Sequence, residues 1–146
     1  MTAKEELRQI KMLDERITNN TEELMRLRAM AEKVTSVVSG ESVSRTRNTD
    51  TMTDAVAKII ALQDKLNADI DKYVNLKEST LQRLSRLENP TYYGILYRRY
   101  FLYKTWEQIA CEMNYTYQWV CELHGRALQK YGKLQTLDRN HKENLL

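Results

Sequence analysis

Proline occurs once and glycine four times in the 146 residues, too little punctuation for a sandwich or barrel of many short strands. Helices are the default. Long apolar runs are missing as well: none exceeds four residues (Ile59 to Leu62, Tyr100 to Tyr103), far short of the roughly 18 that a spanning helix needs. The expectation is a chain with no membrane span and no signal peptide. Cysteine is scarce. Cys111 and Cys121 stand ten apart without a CxxC pair, and His124 and His141 are the only imidazoles, so no metal site is expected and both thiols read as reduced, cytoplasmic side chains on helices. No Walker loop, HExxH, GxSxG or Cys-His pairing is present, which argues against an enzyme and against any cofactor.

Hydrophobic residues nevertheless make up 42% of the chain and charged residues 29%, with a mean hydropathy of −0.65, a composition that buries a core and stays in water. The net charge is only +3, but it is unevenly placed. Residues 1–90 carry 15 basic and 15 acidic side chains, while 91–146 carry 8 against 5, so the whole excess lies at the C-terminal end. Eight of the nine Tyr, both Trp and the single Phe also follow Pro90. Two regions of different packing style are therefore expected, joined near Asn89-Pro90.

In the first region, Thr2-Ala3-Lys4-Glu5 has capping-box spacing. Ile10, Leu13, Ile17, Asn20, Leu24, Leu27, Ala31, Val34 and Val38 then follow an alternating 3,4 spacing, one narrow seam interrupted by Asn20. Asn19-Asn20-Thr21 leaves two readings open, a continuous helix or a break with a new cap. Residues 39–51 lack periodicity and are rich in Ser and Thr, as a flexible connector would be. A second helix is expected from Thr51-x-x-Asp54 through Glu88, with Val56, Ile59, Leu62, Leu66, Ile70, Tyr73, Leu76, Leu81, Leu84 and Leu87 inward. Such long, narrowly striped helices cannot hide their apolar faces alone. They pair as an antiparallel hairpin, associate with a second copy, or both, and a homodimer through the arm is favoured over a prop used only within the chain.

The second region reads as three helices. Asn89 and Pro90 cap and open the first, running to about Tyr103. Thr105-Trp106-Glu107-Gln108 is a capping box that opens the second, ending near Asn114, a residue that tolerates the left-handed conformation. Thr116 caps the third, expected to reach Tyr131 and stop at Gly132. Ala110 where two helices cross, a four-residue turn, and Val120 one turn into the next helix give the spacing of a helix-turn-helix.

The stretch from Arg99 to Tyr131, RYFLYKTWEQIACEMNYTYQWVCELHGRALQKY, resembles region 4 of bacterial sigma-70-type factors. It is more similar still to the sigma-region-4-like phage proteins that include late-gene transcription regulators of the autolysin-regulator type. The resemblance is carried by Arg99-Tyr100, Thr105-Trp106-Glu107, Ile109-Ala110, Met113, Tyr115, Val120, His124 and Ala127-Leu128, about a quarter of the chain. Asn114 stands where that family has a turn Gly, Thr116 where it has Ser, and Trp119 and Cys121 where polar or basic residues are common. The fold carries over; the base preference does not.

The resemblance implies an all-α chain: a long N-terminal two-helix coiled-coil-like arm (1–89, linker near 39–51), a sigma region 4-like helix-turn-helix module (90–135) and a polar tail (136–146). Its partners would be double-stranded DNA and, through the arm, a second copy of the chain or RNA polymerase, in the cytoplasm of a bacterial host and not at a membrane. Placed by the motif, the recognition helix presents Thr116, Tyr117, Gln118, Cys121 and Glu122 to a major groove, with Arg126 and Lys130 further along for phosphates. Gln118 is the best reader, able to make two bonds to adenine; Tyr117 suits a thymine methyl or a phosphate, and Glu122 accepts from cytosine. Arg98, Arg99 and Lys104 are candidates for backbone clamps, with plain solvation as the alternative. His124 and the two Trp read as packing residues. Gly125, costly inside a helix, signals close approach to DNA or to a neighbouring helix. Two competing functions remain: a DNA-packaging adaptor like a phage small terminase subunit, and a protein-binding antagonist of host transcription.

Overall fold

The computed structural model describes residues 1–38 and 45–146 and is all-helical over them. Five helices follow in order: α1 (Ala3–Val38), α2 (Arg45–Ser85), α3 (Pro90–Tyr100), α4 (Trp106–Met113) and α5 (Tyr117–Asn144). The chain divides into two compact units, one made of residues 1–12 with 73–146, the other of residues 13–72.

α1 opens as its sequence predicts. The Thr2 hydroxyl accepts from the Glu5 amide at 3.2 Å while the Glu5 carboxylate accepts from the Thr2 amide at 2.7 Å, a reciprocal box that also holds the Glu5 carboxyl below its ordinary range. Asn20 does not break the helix. It takes its place in the seam with a buried amide nitrogen that has no hydrogen-bond partner among the described residues, the one polar interruption the 3,4 pattern carries.

α2 departs from expectation in three ways, one being that it ends at Ser85 and not at Glu88. It begins at Arg45, so residues 45–51 of the expected connector are helical, and only 39–44 lie outside the described residues. Its inward row runs through Ile59, Leu62, Leu66, Asp69, Tyr73, Leu76 and Thr80, a strict alternation of three and four in which Leu66, Asp69 and Thr80 are buried and the others half-buried, whereas Val56 and Ile70 are exposed. Apolar character at position 70 was misleading because helical phase demands position 69. The Asp69 carboxylate tolerates burial there because Arg16 grips it with both arms of its guanidinium, at 2.9 and 2.5 Å. Thr80 is fully buried because its hydroxyl donates to the Leu76 carbonyl at 2.8 Å.

The unit that holds α3, α4 and α5 has two joined cores. In one, Leu7 and Ile10 of α1 and Leu84 of α2 pack with Leu96, Tyr100, Phe101, Ala127 and Tyr131. In the other, Ile95, Ile109, Ala110, Val120 and Leu123 bind α3, α4 and α5 together, with Trp106 and Met113 at its border. α5 does not stop at Gly132 but continues to Asn144, so the expected polar tail is helical. The extension is held by contacts far along the chain. Asp138 accepts from Arg83 at 2.8 Å and from Arg86 at 2.6 Å, and Gln135 donates to Glu6 at 2.9 Å. Gly132 itself is helical, with Ala3 close enough to touch any side chain added there. Local helix-breaking tendency of about 1 kcal/mol is outweighed by this packing.

Candidate nucleic-acid interface

Each helix start in the C-terminal region is set by one side chain. Asn89 accepts from the Thr91 amide at 2.9 Å to begin α3. Thr105 accepts from the Gln108 amide at 3.2 Å while Gln108 accepts from the Thr105 amide at 3.0 Å, the reciprocal box that begins α4. Asn114 closes α4 in the left-handed conformation at φ 56°, its amide hydrogen-bonding back to the helix carbonyls. Thr116 then accepts from the Trp119 amide at 3.1 Å and starts α5. Two helices joined by a three-residue turn result, with Ala110 and Val120 buried between them.

This arrangement puts Thr116, Tyr117, Gln118 and Glu122 on the exposed side of α5, with Cys121 half-buried beside them. Gly125 continues the same strip one turn on. A Cβ built on it meets nothing within 4 Å, so among the described residues no neighbouring helix explains the glycine. Trp119 is 38% exposed rather than a core residue, and the Arg126 guanidinium lies 5.3 Å from its ring centre. Arg126 also donates to Glu122 at 2.5 Å, so those two charges meet on the helix surface. Lys130 is exposed a turn further on.

The other expected clamps are engaged within the protein. Arg98 donates to Glu112 at 3.1 Å and to the Gly94 carbonyl at 3.2 Å, and Lys104 reaches the other oxygen of the same Glu112. The two cations hold the Glu112 carboxyl below the usual carboxylate range, the Lys104 bond being the stronger cause. Arg99 donates to the Lys104 carbonyl at 2.9 Å and stacks over Trp106 at 4.3 Å.

A basic groove lies beside these residues, formed by side chains far apart in the sequence. Lys4, Arg8 and Lys11 of α1, spaced by four and three, share a face and line a groove of about 300 Å³ with Arg99, Tyr100, Tyr103 and Trp106. Among the described residues no carboxylate lines it. The positive potential is felt next door at His124, which is buried with the Tyr100 hydroxyl 2.8 Å from its Nε2 and Trp106 edge-on at 4.5 Å. Burial first, then the charges of Lys4, Arg99 and Arg8, push the imidazole down to about pKa 4. The signal in the sequence was three cations, Lys4, Arg8 and Lys11, at steps of four and three along α1 before Glu15 ends the run; averaged over the balanced charge of residues 1–90 it disappears.

The depressed His124 makes a pH prediction. The folded imidazole stays neutral until about pH 4, while the unfolded one takes up its proton near its ordinary 6.5, so this stabilisation is complete above pH 6.5 and lost as pH falls toward 4. Between pH 7 and 5 the loss should be about 1–2 kcal/mol, measured by denaturant titration at each pH. His124→Gln should flatten that dependence. An unchanged pH profile in the variant would show that another group is responsible.

Among the described residues no group of His, Cys, Asp and Glu could hold a metal ion, and no helix is long and apolar enough to cross a membrane. The chain matches no family model, no curated protein and no solved structure.

Proposed function

We propose that the chain is a sequence-specific DNA-binding transcription regulator, of the sigma-region-4-like phage type that its Arg99–Tyr131 stretch resembles. It acts through α4 and α5 as a helix-turn-helix, and its long helices serve for association with a second copy or with RNA polymerase. The observation that carries the reading is the strip from Thr116 through Gln118 and Glu122 to Gly125: exposed, held by a cap at its start, and not closely approached at Gly125 by any of the described residues. A major groove is wide enough to admit one helix, and the first turns of such a helix reach the base edges. In this role Gln118 reads a base, Tyr117 and Thr116 meet the backbone or a methyl, and Arg126 and Lys130 face phosphates. The basic groove of Lys4, Arg8, Lys11 and Arg99 supplies further phosphate contacts.

The test is selection of bound duplexes from a random pool, followed by affinities for the selected and a scrambled site. Gln118→Ala should lose about 1–3 kcal/mol of discrimination at a single base position. Equal losses on selected and scrambled DNA would remove Gln118 as a reader.

Gly125→Ala separates folding from binding. An exposed helical Gly replaced by Ala should gain about 0.5–1 kcal/mol of stability. The added methyl points outward into space that the proposed duplex occupies, so DNA affinity should fall while stability rises. Both quantities rising together would mean that DNA does not approach Gly125.

A second reading has one observation in its favour. Glu122 lies on the presented face, and Tyr115, Tyr117 and Trp119 are exposed around it, a composition that also suits a protein surface. An antagonist of transcription acting through protein contact would show no saturable DNA binding at any salt.

A further inference from the structure

α2 carries a second, outward stripe besides its inward row. Val56, Ile60, Gln63, Asn67, Ile70 and Val74 follow one another at intervals of four, three, four, three and four, the spacing of a coiled-coil seam. Val56, Ile60, Ile70 and Val74 are 47%, 52%, 37% and 52% exposed, so among the described residues nothing covers the aliphatic members. Not one of the six is charged, in a chain where 29% of residues are. A solvated helix face in such a chain is normally charged, so the stripe is a face that expects cover.

The order of the side chains says what covers it. About Lys65 the stripe is a palindrome: Val56 mirrors Val74, Ile60 mirrors Ile70, and the amide of Gln63 mirrors the amide of Asn67. A surface of this kind is complementary to itself under a two-fold axis perpendicular to the helix, which is the requirement for a closed, isologous contact. We propose that the occupant is α2 of a second copy, lying antiparallel, with Val56 on Val74, Ile60 on Ile70, and Gln63 hydrogen-bonded to Asn67 at both sides of the centre. Aliphatic pairs close the two ends over about 27 Å of helix, and the central amides fix the register, since any slip leaves them unpaired against aliphatic side chains. The next residue along the stripe, Lys77, meets Thr53, so the pairing brings no like charges together. The inference deepens the association assigned to the long helices above. It does not depend on DNA.

Sedimentation equilibrium of the full chain without DNA tests it. The wild type should have twice the mass of the 17.3 kDa chain. Ile60→Asp with Ile70→Asp should raise the dimer dissociation constant about a hundredfold or more, with far-UV circular dichroism unchanged because both positions are exposed. Ile60→Asp with Ile70→Lys should dimerise at least tenfold more tightly than that variant, because the antiparallel register sets each acid against a lysine. A monomer at all concentrations overturns the proposal together with the arm's self-association. A dimer indifferent to the double aspartate overturns this face and leaves association elsewhere on the arm standing. Equal weakness of the two variants overturns the antiparallel register.

Discussion

Arg83→Ala should remove about 3–5 kcal/mol of folding stability. The Arg83 side chain is only 12% exposed and joins three helices. It donates to both oxygens of Glu6 on α1 at 2.7 and 2.8 Å, to Asp138 on α5 at 2.8 Å and to the Tyr131 hydroxyl at 3.0 Å, with its guanidinium 5.3 Å from the Tyr131 ring centre. Burial and the Glu6 charge raise the Tyr131 hydroxyl well above its ordinary pKa, so it remains a neutral donor to Glu6 at 3.2 Å. Removing the arginine leaves the Glu6 carboxylate, itself 12% exposed, without its cation, and that residual charge rather than the lost attraction dominates the cost. Urea denaturation should show a lower midpoint with an unchanged slope. Arg83→Met combined with Glu6→Leu should recover part of the loss, because an apolar pair needs no solvation. A change below 1 kcal/mol for Arg83→Ala would mean that water replaces the guanidinium at little cost.

Lys4→Ala with Arg8→Ala should weaken binding to every duplex by about a hundredfold at 0.1 M salt. Each phosphate contact carries a slope of about −0.9 in log affinity against log salt, roughly tenfold at 0.1 M relative to 1 M. The same pair of substitutions should reduce the magnitude of the salt slope by about 2 and leave the preferred sequence unchanged. Folding should be untouched, since both side chains are exposed and neither sits in the cores. Titrations at several salt concentrations by fluorescence anisotropy measure both numbers. Wild-type slope with reduced affinity would point to an indirect effect, and no change at all would remove the groove from the interface.

The C-terminal region was legible where structure is local. Asn89-Pro90, Thr105 to Gln108, Asn114 and Thr116 each satisfy or release backbone groups within three or four residues, and all do what their spacing predicts. The seam of α1 was legible for the same reason, as a single period along one helix. What escaped the sequence depends on residues far apart. Gly132 reads as a terminator until Asp138 meets Arg83 and Arg86. Asp69 reads as a surface acid until Arg16, 53 positions away, takes hold of it. Arg98 and Lys104 read as free cations until α4 brings Glu112 between them, and Lys4 and Arg8 read as ordinary surface charge until α1 lies beside Arg99 and Trp106. Gly125 was half legible: its cost is visible in the sequence, whereas the open space around it, free of any described residue within 4 Å of a Cβ, depends on how the helices pack.

The most direct measurement is a duplex titration of the purified chain across 0.05–0.3 M salt, on a pool-selected site and on its scramble. A DNA-binding regulator should show saturable binding, a preference for the selected site that Gln118→Ala reduces at one position, and a steep fall in log affinity with log salt. Binding that is absent, or present with a nearly flat salt response and no sequence preference, would contradict that role.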